Sequence, residues 1–324
     1  MLNANAKRWT GELHQSVLRW VAAKDLFLTD DFRQAERTVD RLVSEDYEAI
    51  FTGGGDGTIV YLMNAIEDRI RNGKVKRDEA PPVGVLRMGT GNAIATWLEC
   101  GEIVDDLRIL RSGAPLVVYE TNMIESAGRS FPFAGFGWDA FILNDYDAFK
   151  AAVRNTAVEN FATGLGGYAT SIVSRTIPRV VREGSSRIRI TALDHAIEID
   201  ANGGSVREFE ADEVMFEGPV KIASCSSIPF WGFNIRMFPN AASRPGYFQV
   251  RTFNGRVGSI LAHLPSFWRG EVTDGTHDFM CKHVRVEVLE GALAYQVAGD
   301  PEGREKVVEW KITEHPRRLA VPMR

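Results

Sequence analysis

The sequence predicts two domains of different class: an α/β domain with a parallel sheet, then a mostly antiparallel β-sandwich. Short apolar runs alternate with helical patterns in the first third of the chain, and period-two alternation dominates from about Tyr119 onward. A length of 324 residues also fits two domains. We expect the first domain to span residues 1–118 and the second 119–305, with 306–324 as a candidate to return to the first domain.

The α/β prediction depends on two strand-loop-helix patterns. Ala49 to Thr52 is typical of a strand that runs into glycines, and the helical spacing that follows carries Ile59, Leu62, Met63, Ile66 and Ile70. A second strand is expected over VGVLR, Val83 to Arg87, and AIATWLEC after the next glycines is again helical. Successive units of this kind build a parallel sheet.

The β-sandwich prediction depends on alternation and turn signals. Residues 187–190 and 284–288 alternate between apolar and polar, as antiparallel strands with one buried face do. Turns are predicted at Asn202-Gly203-Gly204, Asn254-Gly255 and Pro301-Glu302-Gly303. One helical interruption is expected from Asn155 to Thr176.

Composition and charge restrict the kinds of partner and the cellular compartment that we expect for this protein. The chain is 44% hydrophobic and 25% charged, and its net charge of -5 gives no basic footprint for nucleic acid. Cys100, Cys225 and Cys281 are widely separated and form no CxxC, so neither a disulfide framework nor a cysteine zinc site is indicated. The amino terminus lacks a signal pattern, and no apolar window approaches the roughly 18 residues of a spanning helix. We expect a cytoplasmic protein that meets a membrane only at its surface.

The first glycine loop, GGGDGT, is suited to an anion. Glycines between a strand end and a helix start let backbone N–H groups approach a phosphate, and the helix dipole adds positive charge. The loop lacks the lysine of GxxxxGK[ST] and does not fit GxGxxG. Asp56 makes sense beside phosphate if Mg²⁺ lies between them. The alternative is that Asp56 only caps its own helix.

The second glycine loop, MGTGN, spans Met88 to Asn92 and also lies between a strand and a helix. Both loops are therefore expected at the carboxyl ends of strands in one sheet, where open α/β sheets bind ligands. Two such loops on one edge are a more specific signal than either loop alone.

The pair of motifs, GGGDGT with VGVLRMGTGNAIA, resembles the catalytic domain shared by diacylglycerol kinases, bacterial lipid kinases, sphingosine kinases and ceramide kinases. The likeness extends over most of the chain, through LNANAKR near the start, FAGFGWDA from Phe133 and QVAGDPEG from Gln296. It implies a two-domain kinase that transfers the γ-phosphoryl group of ATP to a lipid hydroxyl, of diacylglycerol or sphingoid type. The implied partners are a lipid, a peripheral membrane contact and, as one candidate assembly, a second copy of the chain.

The resemblance also implies site residues. Asp56 would organise Mg²⁺ and take part in catalysis, Asp300 would be the general base, and Asp139 would orient the substrate. The positions implied to surround ATP are Asn3, Thr29, Gly53, Gly54, Gly55, Asp56, Gly57, Thr58, Gly89, Thr90, Gly91 and Asn92.

Three departures leave alternatives open. Asp300 stands where the family has the glutamate of Asp-Gly-Glu, and Ala298 replaces the aspartate; the alternative for Asp300 is a turn residue in GDPEG. Arg244-Pro245-Gly246 replaces an Asp-Asp-Gly metal turn. A nucleotide-binding protein without kinase activity therefore remains as another hypothesis. A soluble-substrate kinase of the NAD kinase type is a further alternative, because that family shares a GGDG loop, although GTGN here lacks the family's Leu-Gly-Phe continuation.

An apolar acceptor needs an apolar site. Aromatic residues concentrate in SSIPFWGFNIRMFP and LPSFWRG, at Phe230, Trp231, Phe233, Phe238, Phe267 and Trp268. Most are expected in the core, and the remainder could line an acyl groove or touch a membrane.

Overall fold

The structure is a computed structural model. It describes residues 1–6, 8–45, 47–89, 91–138, 140–141, 184–255 and 274–324, together with 152, 170, 171, 174, 266 and 269–271. The chain divides into two compact units, Met1–Thr121 with His315–Arg324, and Asn122–Glu314. The expected helix over Asn155 to Thr176 lies almost wholly outside the described residues.

The first unit is built on a six-stranded sheet in the order β2-β1-β3-β4-β20-β5. Five neighbouring strands are parallel, and only β5 runs antiparallel, against β20. The strands are β1 (Leu2–Asn3), β2 (Leu28–Thr29), β3 (Ile50–Gly54), β4 (Val83–Arg87), β5 (Leu116–Thr121) and β20 (Arg317–Pro322). The predicted second strand coincides with β4, and the predicted parallel α/β fold is confirmed.

Helices cover both faces of this sheet. They are α1 (Gly11–Val17), α2 (Phe32–Ser44), α3 (Asp56–Arg71), α4 (Ala93–Trp97) and α5 (Ile103–Arg111), with a 3₁₀ turn at Ala23–Asp25. Helix α2 packs on α3, and α1 packs on α5. The buried residues of α2, Ala35, Val39 and Leu42, recur at the spacing of one helix face.

The second unit contains two sheets whose neighbouring strands are all antiparallel among the residues the structure describes. The eight-stranded sheet has the order β11-β10-β15-β14-β13-β8-β17-β18, and the six-stranded sheet β12-β9-β16-β19-β6-β7. The strands are β6 (Ile124–Ser126), β7 (Arg129–Phe131), β8 (Phe133–Gly137), β9 (Ser186–Ala192), β10 (Ala196–Ile199), β11 (Ser205–Phe209), β12 (Val214–Val220), β13 (Ile222–Ser226), β14 (Phe248–Phe253), β15 (Thr276–Cys281), β16 (His283–Val288), β17 (Leu293–Val297), β18 (Asp300–Glu305) and β19 (Val307–Ile312).

Aromatic side chains join the two sheets face to face. Trp310 of β19 is fully buried and donates from Nε1 to the hydroxyl of Tyr295 on β17, at 3.0 Å. The ring of Phe136 on β8 lies 4.7 Å from that of Tyr295 and 6.0 Å from that of Trp310. The predicted antiparallel β-sandwich is therefore confirmed.

A charged pair is buried inside the eight-stranded sheet. Arg251 of β14 is 0% exposed and Asp278 of β15 is 3% exposed, and Nε and Nη2 of Arg251 each donate to Asp278 at 2.7 Å. Gln249 donates to the same carboxylate at 2.8 Å. Because both oxygens are bonded, the charge of Asp278 is compensated locally.

The described helices include none with the combination of length and apolarity that crossing a bilayer requires.

Candidate active site

Four strand ends of the first unit form one edge. In the parallel registers Asn3 lies beside Thr29, Leu2 beside Gly53, and Gly54 beside Arg87. The segments that follow these strands therefore leave the sheet side by side. Both glycine loops start here, at the carboxyl edge where ligands bind open α/β sheets.

The first glycine loop fits closely against both faces of the sheet. A Cβ on Gly53 would meet the side chains of Met88 and Leu2, and one on Gly54 would overlap the side chain of Thr58. Asn3 donates from Nδ2 to the hydroxyl of Thr58 at 3.4 Å. Packing against Thr58 therefore favours glycine at Gly54, whereas the contacts at Gly53 are with the ends of flexible side chains.

Gly55 differs from its two neighbours. It is the N-cap residue of α3, and a Cβ added to it would meet nothing within 4 Å. Asp56 and Gly57 are the first two residues of the helix. The space beside Gly55 is open at the positive end of a long helix dipole, so this space can receive an anion.

The second glycine loop lies against the first. A Cβ on Gly89 would come within 2.7 Å of the Cα of Gly55 and 3.0 Å of the carbonyl oxygen of Gly54. Asn92 has a left-handed backbone, with φ of 53°, and its side-chain amide donates to the carbonyl of Gly89 at 2.6 Å. Gly91 is partly buried between them, and Thr90 lies outside the described residues. The two loops pack backbone to backbone because glycine occupies both sides of the contact.

Asp56 joins the two loops. Its carboxylate oxygens accept hydrogen bonds from the backbone N–H groups of Ala93, at 3.1 Å, and Ile94, at 3.0 Å. These N–H groups open α4, so Asp56 caps the helix of the second loop from the first residue of α3. Thr29 lies buried at the same edge. The N-cap residue of α3 is Gly55, so the alternative in which Asp56 is the N-cap of its own helix is wrong, and its side chain caps α4.

Comparison with known proteins finds a family match over the segment that contains both loops. Residues 3–118 match the family model described as the diacylglycerol kinase catalytic domain. The family resemblance inferred from the sequence is confirmed. The matched segment contains both glycine loops, Asn3 and Thr29. A protein of Streptococcus pneumoniae named "Putative lipid kinase" is 30% identical over 78 residues, which make up 24% of this chain and 24% of that protein.

Solved structures similar to this one share its fold along almost the whole length. One, from Bacillus anthracis and described as "a putative diacylglycerol kinase", covers 99% of this chain and 95% of its own, with 15% identity and a TM-score of 0.66. A second from that organism, described among "diacylglycerol kinases", has the same coverage, 14% identity and a TM-score of 0.62. At these identities the likeness establishes the fold alone.

Asp56 is the candidate ligand for Mg²⁺ that arrives bound to phosphate. Within the described residues, no group of three or more His, Cys, Asp or Glu side chains is arranged to hold a metal ion. The two carboxylate oxygens of Asp56 accept hydrogen bonds from the N–H groups of Ala93 and Ile94. Mg²⁺ commonly binds one or two carboxylates together with substrate phosphates. The carboxylate of Asp56 is a ligand of the type that this mode of binding uses.

Asp300 lies in the second unit, at the start of β18. It pairs with Val297 across a tight turn made by Ala298 and Gly299, whose φ values are 51° and 90°. Two successive positive φ values are typical of a two-residue type I′ hairpin. Asp300 is exposed to solvent. Asp139, the expected substrate-orienting residue, lies outside the described residues.

The aromatic segment of the second unit contributes mostly to the core. Phe238 is fully buried in a cluster with Trp138 and Phe253, and Trp231 and Phe233 pack against this cluster while partly exposed. Phe230 is also partly exposed, and Phe267 and Trp268 lie outside the described residues. Phe233 and Asn234 both have positive φ.

Sequence reasoning missed one conspicuous residue at the carboxyl edge, Phe32. It follows Thr29 by three residues and is 76% exposed. The available signal was an aromatic residue directly after the Asp30-Asp31 helix start, at a strand end already assigned to the site.

Proposed function

We propose that this protein is an ATP-dependent lipid kinase that transfers the γ-phosphoryl group of ATP to a lipid hydroxyl. The observation that supports the proposal most is the Asp56 carboxylate, which links the two glycine loops at the carboxyl edge of the parallel sheet. The segment that carries this arrangement is also the one that matches the kinase family model.

In this proposal the glycine loops hold the phosphates. Helix α3 begins at this edge, so its positive end lies there, and the open space at Gly55 admits an anion. Gly53, Gly54, Gly57 and Thr58 shape the first loop, and Gly89, Thr90, Gly91 and Asn92 the second. Asn3 and Thr29 flank them at neighbouring strand ends.

Asp56 has two tasks in this proposal. By accepting the N–H groups of Ala93 and Ile94 it fixes the spacing of the loops, and its carboxylate would also bind Mg²⁺ that arrives with ATP. The bound Mg²⁺ would neutralise phosphate charge. Phosphoryl transfer needs mainly positioning and charge stabilisation, which such a site can provide.

Asp300 is the proposed general base. A carboxylate can accept the proton of the lipid hydroxyl as the phosphoryl group is transferred, provided that the hydroxyl reaches hydrogen-bond distance. Aspartate is one methylene shorter than glutamate, so the acceptor hydroxyl must approach the β18 turn more closely. Asp139 is proposed to orient the acceptor.

The acceptor is proposed to be a diacylglycerol or a sphingoid-type lipid, taken from a membrane surface by a protein of the cytoplasm. The partly exposed Trp231 and Phe233 are candidates for contact with its acyl chains. The proposed assembly is a homodimer.

The decisive experiment is phosphorylation with labelled ATP and Mg²⁺ by the purified full-length chain. The acceptor panel holds diacylglycerols, monoacylglycerols, sphingoid bases, ceramides and, as a soluble acceptor, NAD; mass spectrometry identifies the product. Asp56→Ala and Asp300→Ala should each lower the lipid kinase rate by about 100-fold or more. Asp68→Ala, which removes an exposed carboxylate from α3, is the matched control. Unchanged rates in both site variants would refute the assigned roles.

A nucleotide-binding protein without kinase activity is the second candidate. It is favoured by Ala298, which places an alanine in the hairpin turn where the family has an aspartate. Tight ATP binding without phosphorylation of any lipid in the panel would support this candidate over the kinase.

A further inference from the structure

Phe32 is a large apolar side chain that lies almost entirely in solvent. Its exposed fraction of 76% is the highest among the large hydrophobic side chains of the described residues. Single exposed apolar residues are common on protein surfaces, so exposure alone indicates nothing. The position of Phe32 and the way in which it is held are more informative.

The backbone under Phe32 is firmly fixed. Phe32 is the first residue of α2, and the N-cap residue Asp31 accepts the N–H group of Gln34 at 2.7 Å. The side chain of Gln34 accepts the N–H group of Asp30 at 2.9 Å in return. These reciprocal bonds resemble a capping box. The start of α2 is thereby ordered although its side chains are exposed.

The ring of Phe32 is supported from one side. The ring of Tyr61 on α3 lies 5.6 Å away in an edge-to-face arrangement. The Tyr61 hydroxyl donates to Glu36 at 2.8 Å, and Glu36 accepts from the buried Arg69 at 2.6 Å. The contact with Tyr61 restricts the ring of Phe32 before a ligand binds, which lowers the entropic cost of ordering it.

Phe32 continues the row of site residues along the sheet edge. From the first glycine loop on β3 the row passes to Asn3 on β1 and Thr29 on β2, and then to Phe32. Strands in a sheet are about 4.8 Å apart, so the β2 end lies about 10 Å from the loop. That span is comparable to the distance between the phosphates and the base of a nucleotide.

Charge sets the direction of a nucleotide along this row. Asp30 and Asp31 are exposed beside Phe32; they outnumber the neighbouring Arg33, and Asp31 already supplies a carboxylate to the start of α2, so a phosphate is disfavoured there. The start of α3 at Gly55 favours a phosphate instead. A ligand with an anionic end and a neutral, flat end fits the row in one direction only.

We propose that Phe32 is the stacking platform for the base of the nucleotide, with its phosphates at the glycine loops. This inference rests on the proposed function, because it takes ATP as the phosphoryl donor. Stacking of a base on an aromatic ring is worth about 1–3 kcal/mol by alanine substitution. Phe32 is then a determinant of affinity for ATP and has no contact with the reacting atoms.

The test compares binding of ATP with binding of inorganic tripolyphosphate, which has the phosphates and no base. Isothermal titration calorimetry of the full chain with Mg²⁺, without lipid, measures both affinities. Phe32→Ala should weaken ATP binding about tenfold or more and leave the affinity for tripolyphosphate unchanged. Phe32→Trp should retain ATP affinity, and its added fluorescence should change with ATP but not with tripolyphosphate. Leu18→Ala, which removes another exposed apolar side chain of this unit, is the matched control.

The outcomes separate the inference from the proposed function. Equal ATP affinity in Phe32→Ala and the unaltered chain overturns the inference even if lipid phosphorylation persists. Equal losses of ATP and tripolyphosphate affinity also overturn it, because they indicate a disturbed loop and not a lost base contact. A base-dependent loss without any lipid phosphorylation supports the inference and refutes the kinase. Failure of the unaltered chain to bind ATP refutes both.

Discussion

Two aspartates in different units are held in contrasting ways. Asp278 of the sandwich receives a guanidinium and an amide inside a sheet, and it is 3% exposed. Asp56 at the carboxyl edge receives two backbone N–H groups from a loop that lies 37 and 38 residues further along the chain. Asp278 compensates a buried charge, whereas Asp56 fixes the relative position of two loop backbones.

The contrast indicates what each aspartate contributes. Removing one partner of a buried ion pair is costly, because the other partner's charge is then left in the core without compensation. Removal of a carboxylate that accepts backbone N–H groups leaves neutral donors and no buried charge, so it costs less. We therefore expect mutations at Asp278 to affect folding and mutations at Asp56 to affect chiefly the function of the loops.

The largest effect is expected from Asp278→Ala. It leaves Arg251, which is 0% exposed, without its carboxylate, so the free energy of unfolding should fall by about 3–5 kcal/mol. Urea unfolding monitored by tryptophan fluorescence measures the change. The double variant Asp278→Ala with Arg251→Met should recover part of the loss, because no buried charge remains. A double variant less stable than Asp278→Ala would contradict this explanation.

Glu67 is a buried charged residue of the first unit, and its contribution to the free energy of unfolding should be smaller and depend on pH. Burial opposes its ionisation, but the hydrogen bond from Arg77 and the charges of Arg317, Arg77 and Arg71 outweigh burial and lower the pKa of Glu67 from 4.5. Glu67→Gln should cost about 2 kcal/mol of unfolding free energy at pH 7. Because the folded pKa is depressed, this contribution is present above pH 4.5 and is lost as the pH falls through the folded value.

Unfolding curves of the unaltered chain and Glu67→Gln, measured between neutral and acidic pH, provide the check. Their difference in stability should be constant at neutral pH and shrink in acid. A difference that grows in acid would show that the sign of the pKa shift is wrong.

Asp56→Ala is expected to have a modest effect on folding. It removes an acceptor from two N–H groups at the start of α4, which should lower the free energy of unfolding by about 1–2 kcal/mol. ATP affinity and kinase rate should fall much further than this loss of stability explains. Urea unfolding and calorimetric titration of the same preparation give both values. A stability loss as large as that of Asp278→Ala would remove the contrast between the two aspartates.

The sequence predicted the site best where its signals are local. A strand followed by glycines and a helical pattern occurs twice within about 40 residues of chain, so GGGDGT and MGTGN could be assigned to one sheet edge from their order alone. The cross-loop bonds of Asp56 could not be predicted in that way. A carboxylate at a helix start normally caps its own helix, and only the packing of Gly89 on Gly55 brings the N–H groups of α4 within reach.

The buried pair of Arg251 and Asp278 could not be predicted from the sequence, for a related reason. In QVRTF the polar residues Gln249 and Arg251 alternate with apolar ones, and such a pattern normally indicates one solvent-exposed face. Every residue of β14 is instead buried, because β15 supplies Asp278 opposite Arg251. Charge complementarity between strands 27 residues apart depends on register, which a single strand pattern does not specify.

The smallest effect on folding is expected at Gly55, where it separates packing from ligand binding most sharply. Gly54→Ala introduces a Cβ that overlaps the side chain of Thr58, and it should cost about 1–3 kcal/mol of unfolding free energy. Gly55→Ala meets nothing within 4 Å and has an ordinary φ of -80°, so its cost should stay within about 1 kcal/mol. If the open space receives phosphate, Gly55→Ala should nevertheless abolish the binding of ATP and of tripolyphosphate alike. Retained affinity for tripolyphosphate in a folded Gly55→Ala variant would place the phosphates elsewhere. It would contradict the proposal that the first glycine loop binds them.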